Sequence, residues 1–245
     1  MSSRLLVVGA AGKMGKAVQA AASGRSDLAV SGTVDAGDDV AVALAGCDVY
    51  IDFSTPDATA RAARAARGTK RAAVIGTTGL TADANVAIAD LSRVAPVIVA
   101  ANFSLGVNLM LGLVRQAAKA LGDWDAEVVE THHNKKRDAP SGTALAIAKA
   151  IAAGRGVEYD AVKRHTRDGE IGARPHGEIG VATLRGGDVV GEHVACFFGE
   201  GERIEIAHRA TSRSIFATGA LVAAAWLVGK PPGRYTMLDV LGLPS

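Results

Sequence analysis

The chain has 245 residues, 49% of them hydrophobic, which is too apolar for a disordered protein and enough to bury one α/β unit or two smaller domains. Its 27 basic and 25 acidic residues leave a formal charge of +2, and with three Tyr and two Trp it offers few stacking platforms, so nucleic acid is not an expected partner. The two cysteines, Cys47 and Cys196, sit in apolar segments and give neither a disulfide scaffold nor a paired-cysteine zinc site. No apolar run reaches the roughly 18 residues of a membrane span and the N-terminus carries no signal-peptide pattern, so the expected compartment is the cytoplasm and no membrane partner is expected.

In chain order, Arg4 to Val8 is a short β-branched and leucine run that ends in Gly-Ala-Ala-Gly-Lys-Met-Gly, Gly9 to Gly15. The pattern predicts strand, glycine turn, helix. Small residues permit a tight turn and let backbone N–H groups approach a pyrophosphate at a helix N-terminus. A second strand, Leu28 to Val34, ends in Asp35, about 20 residues on, where a dinucleotide fold places the acid that binds ribose hydroxyls. Apolar strands and helices then alternate: Asp48 to Phe53 with a helix from Pro56, Ala72 to Ile75 with a helix from Thr81, and Val97 to Ala100 with a helix from Leu105. Such alternation predicts a parallel, doubly wound sheet, whose ligands bind outside the carboxyl ends of the strands. Those ends carry Asp52-Phe53-Ser54, Gly76-Thr77-Thr78-Gly79 and Ala100-Ala101-Asn102-Phe103. Arg61, Arg64 and Arg67 recur on the helix after Pro56 and read as a solvated face without function.

After Leu121 the texture changes. Trp124 to Thr131 predicts a strand, Ser141 to Ala153 a helix, and Gly180 to Leu184, Val189 to Phe198 and Arg203 to His208 further strands of a second, α+β domain. Ile204 and Ile206 alternate with Glu205 and Ala207, the period of a sheet with one covered face. Ser214 to Val228 is a late apolar helix able to return to the first domain. The expected architecture is α/β: an N-terminal, doubly wound, Rossmann-like dinucleotide-binding domain of residues 1–104 plus 213–245, and a second α+β domain of residues 105–212.

Between that strand and helix lies Glu-Thr-His-His-Asn-Lys-Lys-Arg-Asp-Ala-Pro-Ser-Gly-Thr-Ala, Glu130 to Ala144. It clusters His132, His133, Lys135, Lys136 and Arg137 before a turn, then starts an Ala-rich helix with Ser141 as its N-cap. The unpaired N–H groups and positive dipole end of that helix let Gly142 and Thr143 hold a carboxylate, so a small, strongly anionic ligand fits. A metal is not expected, because adjacent histidines lack i, i+4 spacing and no carboxylate cluster stands near them in the sequence. Ser141 lacks the strand-to-helix elbow of a hydrolase nucleophile.

Taken together, Gly-Ala-Ala-Gly-Lys-Met-Gly, Gly76 to Gly79, Ala100 to Phe103 and the Glu130 to Ala144 motif resemble the 4-hydroxy-tetrahydrodipicolinate (dihydrodipicolinate) reductases. The likeness extends to Gly187 to His193 and Ser212 to Ala220. It implies reduction of a cyclic imine dicarboxylate by NADH or NADPH in the diaminopimelate route to lysine, and a homotetramer built through the second, substrate-binding domain. It implies His132 and Lys136 as acid-base residues and His133, Gly142 and Thr143 as substrate binders. It places Gly9, Ala10, Ala11, Gly12, Lys13, Met14, Asp35, Gly76, Thr77, Thr78, Ala100, Ala101, Asn102 and Phe103 around the cofactor.

The chemistry of these residue types agrees. Hydride delivery to an anionic, conjugated ring adds electron density that cations and a helix N-terminus stabilise, and an imidazole or a lysine of lowered pKa supplies the proton. His132 and His133, adjacent on an extended segment, point to opposite sides and divide catalysis from binding. Asp138 is expected to tie down the turn, and Lys135 and Arg137 to face solvent. Ala36 and Gly37 follow Asp35 where some relatives carry a base, so NADH should serve at least as well as NADPH, with Lys13 and Lys16 retaining some NADPH use. Two other function classes fit the same cations: a non-redox lyase or isomerase, and an NAD-dependent sensor of a small dicarboxylate.

Overall fold

The computed structural model describes residues 2–244. Along the chain come β1 (Ser3–Val8), α1 (Lys13–Ala22), β2 (Leu28–Val34), α2 (Val40–Ala45), β3 (Val49–Asp52), α3 (Pro56–Thr69), β4 (Ala72–Ile75), α4 (Ala82–Ser92), β5 (Pro96–Val99) and α5 (Leu105–Ala120). There follow β6 (Asp125–His132), α6 (Gly142–Arg155), α7 (Tyr159–Val162), β7 (Lys163–Arg164), β8 (Ile179–Arg185), β9 (Gly191–Gly199) and β10 (Glu202–Ala210). The chain ends with α8 (Ser214–Leu227), β11 (Gly233–Tyr235) and α9 (Met237–Val240). It divides into two compact units, Met1–Leu105 with Ser214–Ser245, and Gly106–Arg213. No helix among the described residues is long and apolar enough to cross a membrane.

The first unit is built on a six-stranded sheet in the order β11-β5-β4-β3-β1-β2, parallel throughout. Both faces are covered, and the strands show why their sequences are continuously apolar. Leu5 and Val7 of β1, with Val49 and Ile51 of β3, enter one core with α1 and α8, where Ala217, Leu221 and Ala224 are buried. Leu6, Val8 and Tyr50 enter the other core with Ala62, Ala66, Ile88 and Leu91 of α3 and α4. The helices start where side chains can satisfy their first N–H groups: Thr55 accepts from Ala58 N and Thr81 from Ala84 N, with Pro56 opening α3. The short α2, capped by Asp39, and the terminal β11 and α9 were not expected from the apolar pattern.

The second unit carries a mixed five-stranded sheet in the order β10-β9-β6-β8-β7. Alternate residues of its three central strands, Ala126 and Val128, Ile179 and Val181, Ala195 and Phe197, face Met110, Val114, Ile147, Ala148 and Ile151 of α5 and α6. On the edge strand β10, Ile206 packs partly against this core while Ile204 stays 42% exposed, so the covered face expected there is incomplete within one chain. Leu184 and Phe198, on the sheet face turned away from these helices, are also exposed. β9 begins at Gly191 rather than Val189, because Val189 and Gly187 give their carbonyls to His133 N and Asn134 N, closing a turn against the end of β6. The loop before β8 is pinned by Arg174, which donates to Asp125, Glu127 and the carbonyls of Ala126 and Glu178.

Candidate functional site

In the first unit the glycine turn connects β1 to α1. Gly9 has φ +78°, in the left-handed region, and its N–H pairs with Val34 O. A Cβ on Gly15 would stand 2.2 Å from Gly9 O, so only glycine lets α1 pack this closely on the turn. Gly12 caps α1 and has no side chain to occupy the helix N-terminus, an end of the kind that can hold an anion. Ala11, Gly12 and Lys13 are exposed, Met14 is half-buried and Ala10 is buried. Asp35 stands directly after β2, its two carboxylate oxygens each 3.0 Å from Ala11 N. Gly9, Gly12, Asp35, Phe53, Ser54 and Arg61 line a cavity of about 320 Å³. Arg61 is exposed, as expected of a solvated face, and also stands at the rim of this cavity, which the three-residue spacing of the arginines does not show.

The other strand ends of this unit are tied together beneath that cavity. Buried Asp52 accepts from Ser54 N at 2.9 Å, Ser54 Oγ at 2.5 Å and Thr77 Oγ1 at 3.3 Å, and burial raises its pKa. Thr77 is buried and Thr78 exposed. A Cβ on Gly76 would displace the Phe53 ring, which packs edge-on against Phe103 at 5.8 Å. Ala100 N reaches Ile75 O, Ala101 is exposed, and Asn102 Oδ1 accepts from Ser104 N. A glycine turn with an uncapped helix end, an acid after the second strand and a cavity between them fit a pyridine nucleotide.

In the second unit the apolar rows under α6 turn polar at one end. Strand β6 is buried at every second residue, so Glu130 and His132 continue the row of Ala126 and Val128. Register sets Thr183 and His193 on either side of Glu130, and Arg185 beside His132. Glu130 is fully buried, and its carboxylate accepts from His132 Nδ1, Ser141 N at 3.0 Å, Thr183 Oγ1 at 3.2 Å and Arg185 Nη2 at 2.9 Å. Burial pushes its pKa up, but the hydrogen bonds from Arg185 and His132 outweigh it and hold the group below the usual carboxylate range. Burial lowers the His132 pKa, with Glu130 opposing and Lys136 and Arg185 reinforcing. A Cβ on Gly191 would lie 2.9 Å from His132 Nε2, so glycine there makes room for the ring.

His193 meets His132 edge-on at 5.2 Å and contacts Ser141 Oγ through Nε2 at 3.2 Å. Burial and the neighbouring His132 push its pKa down to about 4, so it is neutral near pH 7. Ser141 caps α6, its Oγ accepting from Ala144 N, and Gly142 and Thr143 form the first turn with open space beside Gly142. Lys136 is half-buried and paired with Asp138 at 2.9 Å, while Lys135 and Arg137 are exposed. His133 lies outside the buried row, where its Nε2 is 3.3 Å from Arg213 Nη2, and the two line a cavity with Asn134 and Asp188.

Sequence reasoning missed Glu130, Arg185 and His193. The i, i+2 spacing of Glu130 and His132 on a strand was a readable signal; the other two arrive from strands whose register no local pattern states. Glu130, His132 and His193 together bring three metal-capable atoms within 4.8 Å of one another, a carboxylate-histidine grouping that sequence spacing did not predict. Both oxygens of Glu130 are already committed to N–H and O–H donors and Arg185 and Lys136 add positive charge, so the cluster is suited to handling protons and anions.

The chain matches the family descriptions "Dihydrodipicolinate reductase, N-terminus" over residues 3–103 and "Dihydrodipicolinate reductase, C-terminus" over residues 106–241. It is 49% identical to the 4-hydroxy-tetrahydrodipicolinate reductase of Anaeromyxobacter dehalogenans, with 98% of each chain covered. It is 42% identical to that of Geotalea daltonii, covering 98% of this chain and 99% of the relative. Its fold matches the dipicolinate-bound dihydrodipicolinate reductase of a Paenisporosarcina species with a TM-score of 0.80 at 24% identity, over 98% and 99% of the two chains. With both halves matched in order and full-length relatives near half identity, the chain belongs to the dihydrodipicolinate reductase family.

Proposed function

We propose that the protein reduces 4-hydroxy-tetrahydrodipicolinate, by way of dihydrodipicolinate, to tetrahydrodipicolinate with NAD(P)H in the diaminopimelate route of lysine biosynthesis. The observation that carries this reading is the buried Glu130–His132 pair at the head of α6, with Lys136 beside it, in a chain that also carries a nucleotide-type glycine turn. A bound nicotinamide supplies hydride to the substrate ring. The protein's own residues then do the rest. Gly142 and Thr143 at the α6 N-terminus and His133 hold the carboxylates, and cationic Lys136 stabilises the electron density that arrives. His132 delivers the proton from Nε2, because Nδ1 is occupied by Glu130.

Gly9 to Met14, Asp35, Gly76 to Thr78 and Ala100 to Phe103 would hold the nucleotide, with Asp35 suited to accept from its ribose hydroxyls. NADH serves at least as well as NADPH, since Asp35 repels a 2′-phosphate and no base follows it. Lys13 and Lys16 retain some NADPH use. Residues 1–104 with 213–245 form the nucleotide domain and 105–212 the substrate and oligomerisation domain of a cytoplasmic homotetramer. Exposed Leu184 and Phe198 on one sheet face support that assembly. The test is NADH oxidation with the freshly formed condensation product of aspartate semialdehyde and pyruvate, in wild type and in His132→Gln and Lys136→Ala. Turnover in wild type and a much lower kcat with retained NADH binding in the variants are expected. A folded wild type that binds NADH without turnover overturns the reading.

A further inference from the structure

We infer that Glu130 is the positioning residue of the proton donor: it locks His132 with hydrogen on Nδ1, so that every proton the ring takes up or gives away passes through Nε2. The inference rests on the reading of His132 as that donor. Geometry carries it. Glu130 and His132 stand two residues apart on the same face of β6, the carboxylate against Nδ1, and Gly191 leaves room at Nε2 that any side chain would fill. Arg185, the Ser141 N–H and Thr183 all donate to Glu130 Oε1 and favour the ionised carboxylate, which leaves Oε2 as an acceptor facing His132 Nδ1. A carboxylate held ionised in this way forces the donor hydrogen onto the imidazole.

The arrangement balances through one turnover. His132 enters as imidazolium, with N–H at both nitrogens. As hydride adds to the substrate and its electron pair moves through the conjugated system, the Nε2–H bond breaks, its electrons stay on Nε2, and the proton goes to the ring product. The neutral ring left behind keeps Nδ1–H on Glu130 and is recharged at Nε2 from solvent. Glu130, Lys136, Arg185 and His193 are the titratable groups facing His132, and of these only Glu130 favours the charged ring.

The test compares Glu130→Gln, Glu130→Asp and His132→Gln in the full chain with NADH and substrate. Glutamine keeps an acceptor for Arg185 but can turn its amide toward Nδ1. Aspartate keeps the charge while withdrawing it from the ring by one methylene. Expected in both Glu130 variants is a loss of about 100-fold in kcat with little change in KM, and NADH affinity as in wild type. The alkaline limb of the kcat profile in Glu130→Gln should move to lower pH, because the anion that favours the imidazolium is gone. Nitrogen NMR of labelled histidine should report Nδ1–H in the wild-type neutral ring and a shift toward Nε2–H in Glu130→Gln. Glu130 variants that keep the wild-type kcat and tautomer while His132→Gln is inactive overturn the inference alone. A His132→Gln variant that keeps its kcat overturns the donor reading, and the inference with it. Should Glu130→Gln fail to fold, Glu130→Asp decides by the same readings.

Discussion

Gly15→Ala isolates the packing of α1 on the glycine turn. The new methyl would stand 2.2 Å from Gly9 O, 2.6 Å from Ala10 Cα and 2.8 Å from Ala10 C. Carbon contacts settle at about 3.5–4.0 Å, so the methyl is roughly 1 Å too close to backbone that cannot rotate away. Two effects compete. Alanine inside a helix gains about 1 kcal/mol over glycine, whereas forced overpacking costs about 1–3 kcal/mol and displaces backbone. The clash falls at the upper end of that range, about 2–3 kcal/mol, because all three nearest atoms belong to the main chain, and the expected net loss is about 1–2 kcal/mol, or about 2–8 °C in Tm for a chain of this size. Displacement also opens the cradle formed by Gly9 and Gly12, so NADH affinity should fall about tenfold or more, the equivalent of about 1.4 kcal/mol. Thermal melts and NADH fluorescence titration read both quantities. Gly68→Ala is the internal control, lying in α3 with nothing within 4 Å of an added Cβ, and it should stabilise by up to about 1 kcal/mol. A Gly15→Ala protein that melts with the wild type and binds NADH unchanged refutes the close-approach argument.

Stability should rise with pH on account of His193. Its pKa is about 4 folded against 6.5 for an ordinary imidazole, so between these values the unfolded chain binds more protons and roughly 3 kcal/mol present above pH 6.5 is lost as pH falls through 4. His193→Gln should flatten that part of the urea-midpoint profile, and an unchanged slope refutes the assignment. The pKa of His132 lies below the imidazole value of 6.5. A proton donor works below its pKa, so kcat/KM should fall as pH rises through a value under 6.5, and the kcat limb should lie higher because a bound dianion favours the imidazolium; a kcat/KM limb above 6.5 contradicts this. Arg174→Ala removes donors from Asp125, Glu127 and two carbonyls and should destabilise the second unit by about 1–3 kcal/mol. Faster proteolysis within residues 165–178 is the readout, and wild-type cleavage rates would show that the clamp is idle.

The first unit was legible because its signals are local. Runs of apolar residues, Thr55-Pro56 at a helix start and Gly9 before Gly12 each state their own conformation, and strands such as Leu28–Val34 and Ala72–Ile75 occur at the bounds read from the sequence. Short elements were illegible for the complementary reason. Four residues of α9 or three of β11 span barely more than one period, too few for a pattern to repeat, and tertiary packing decides them. In the second unit the Glu130 to Ala144 motif announced a site, and the adjacent-residue rule separated buried His132 from exposed-side His133. What the motif could not announce was its supporting cast. Arg185 and His193 reach Glu130 through strand register, which depends on the pairing of β6 with β8 and β9. Arg61 was hidden by its own regularity, since a helical repeat of arginines looks the same whether or not a cavity opens beneath one of them.

The commitments of the Glu130 carboxylate also order events as the chain folds. Ser141 is 11 residues away and can reach it within a local strand–helix unit, but Thr183 and Arg185 lie 53 and 55 residues from Glu130. Until β8 docks, Glu130 must stay hydrated or protonated, because a carboxylate without Arg185 cannot be sealed beneath α6. Closing those long loops is the slow, entropically costly part of assembling this sheet. During refolding, recovery of catalytic activity should therefore trail the appearance of helix and mark the moment the second sheet is complete.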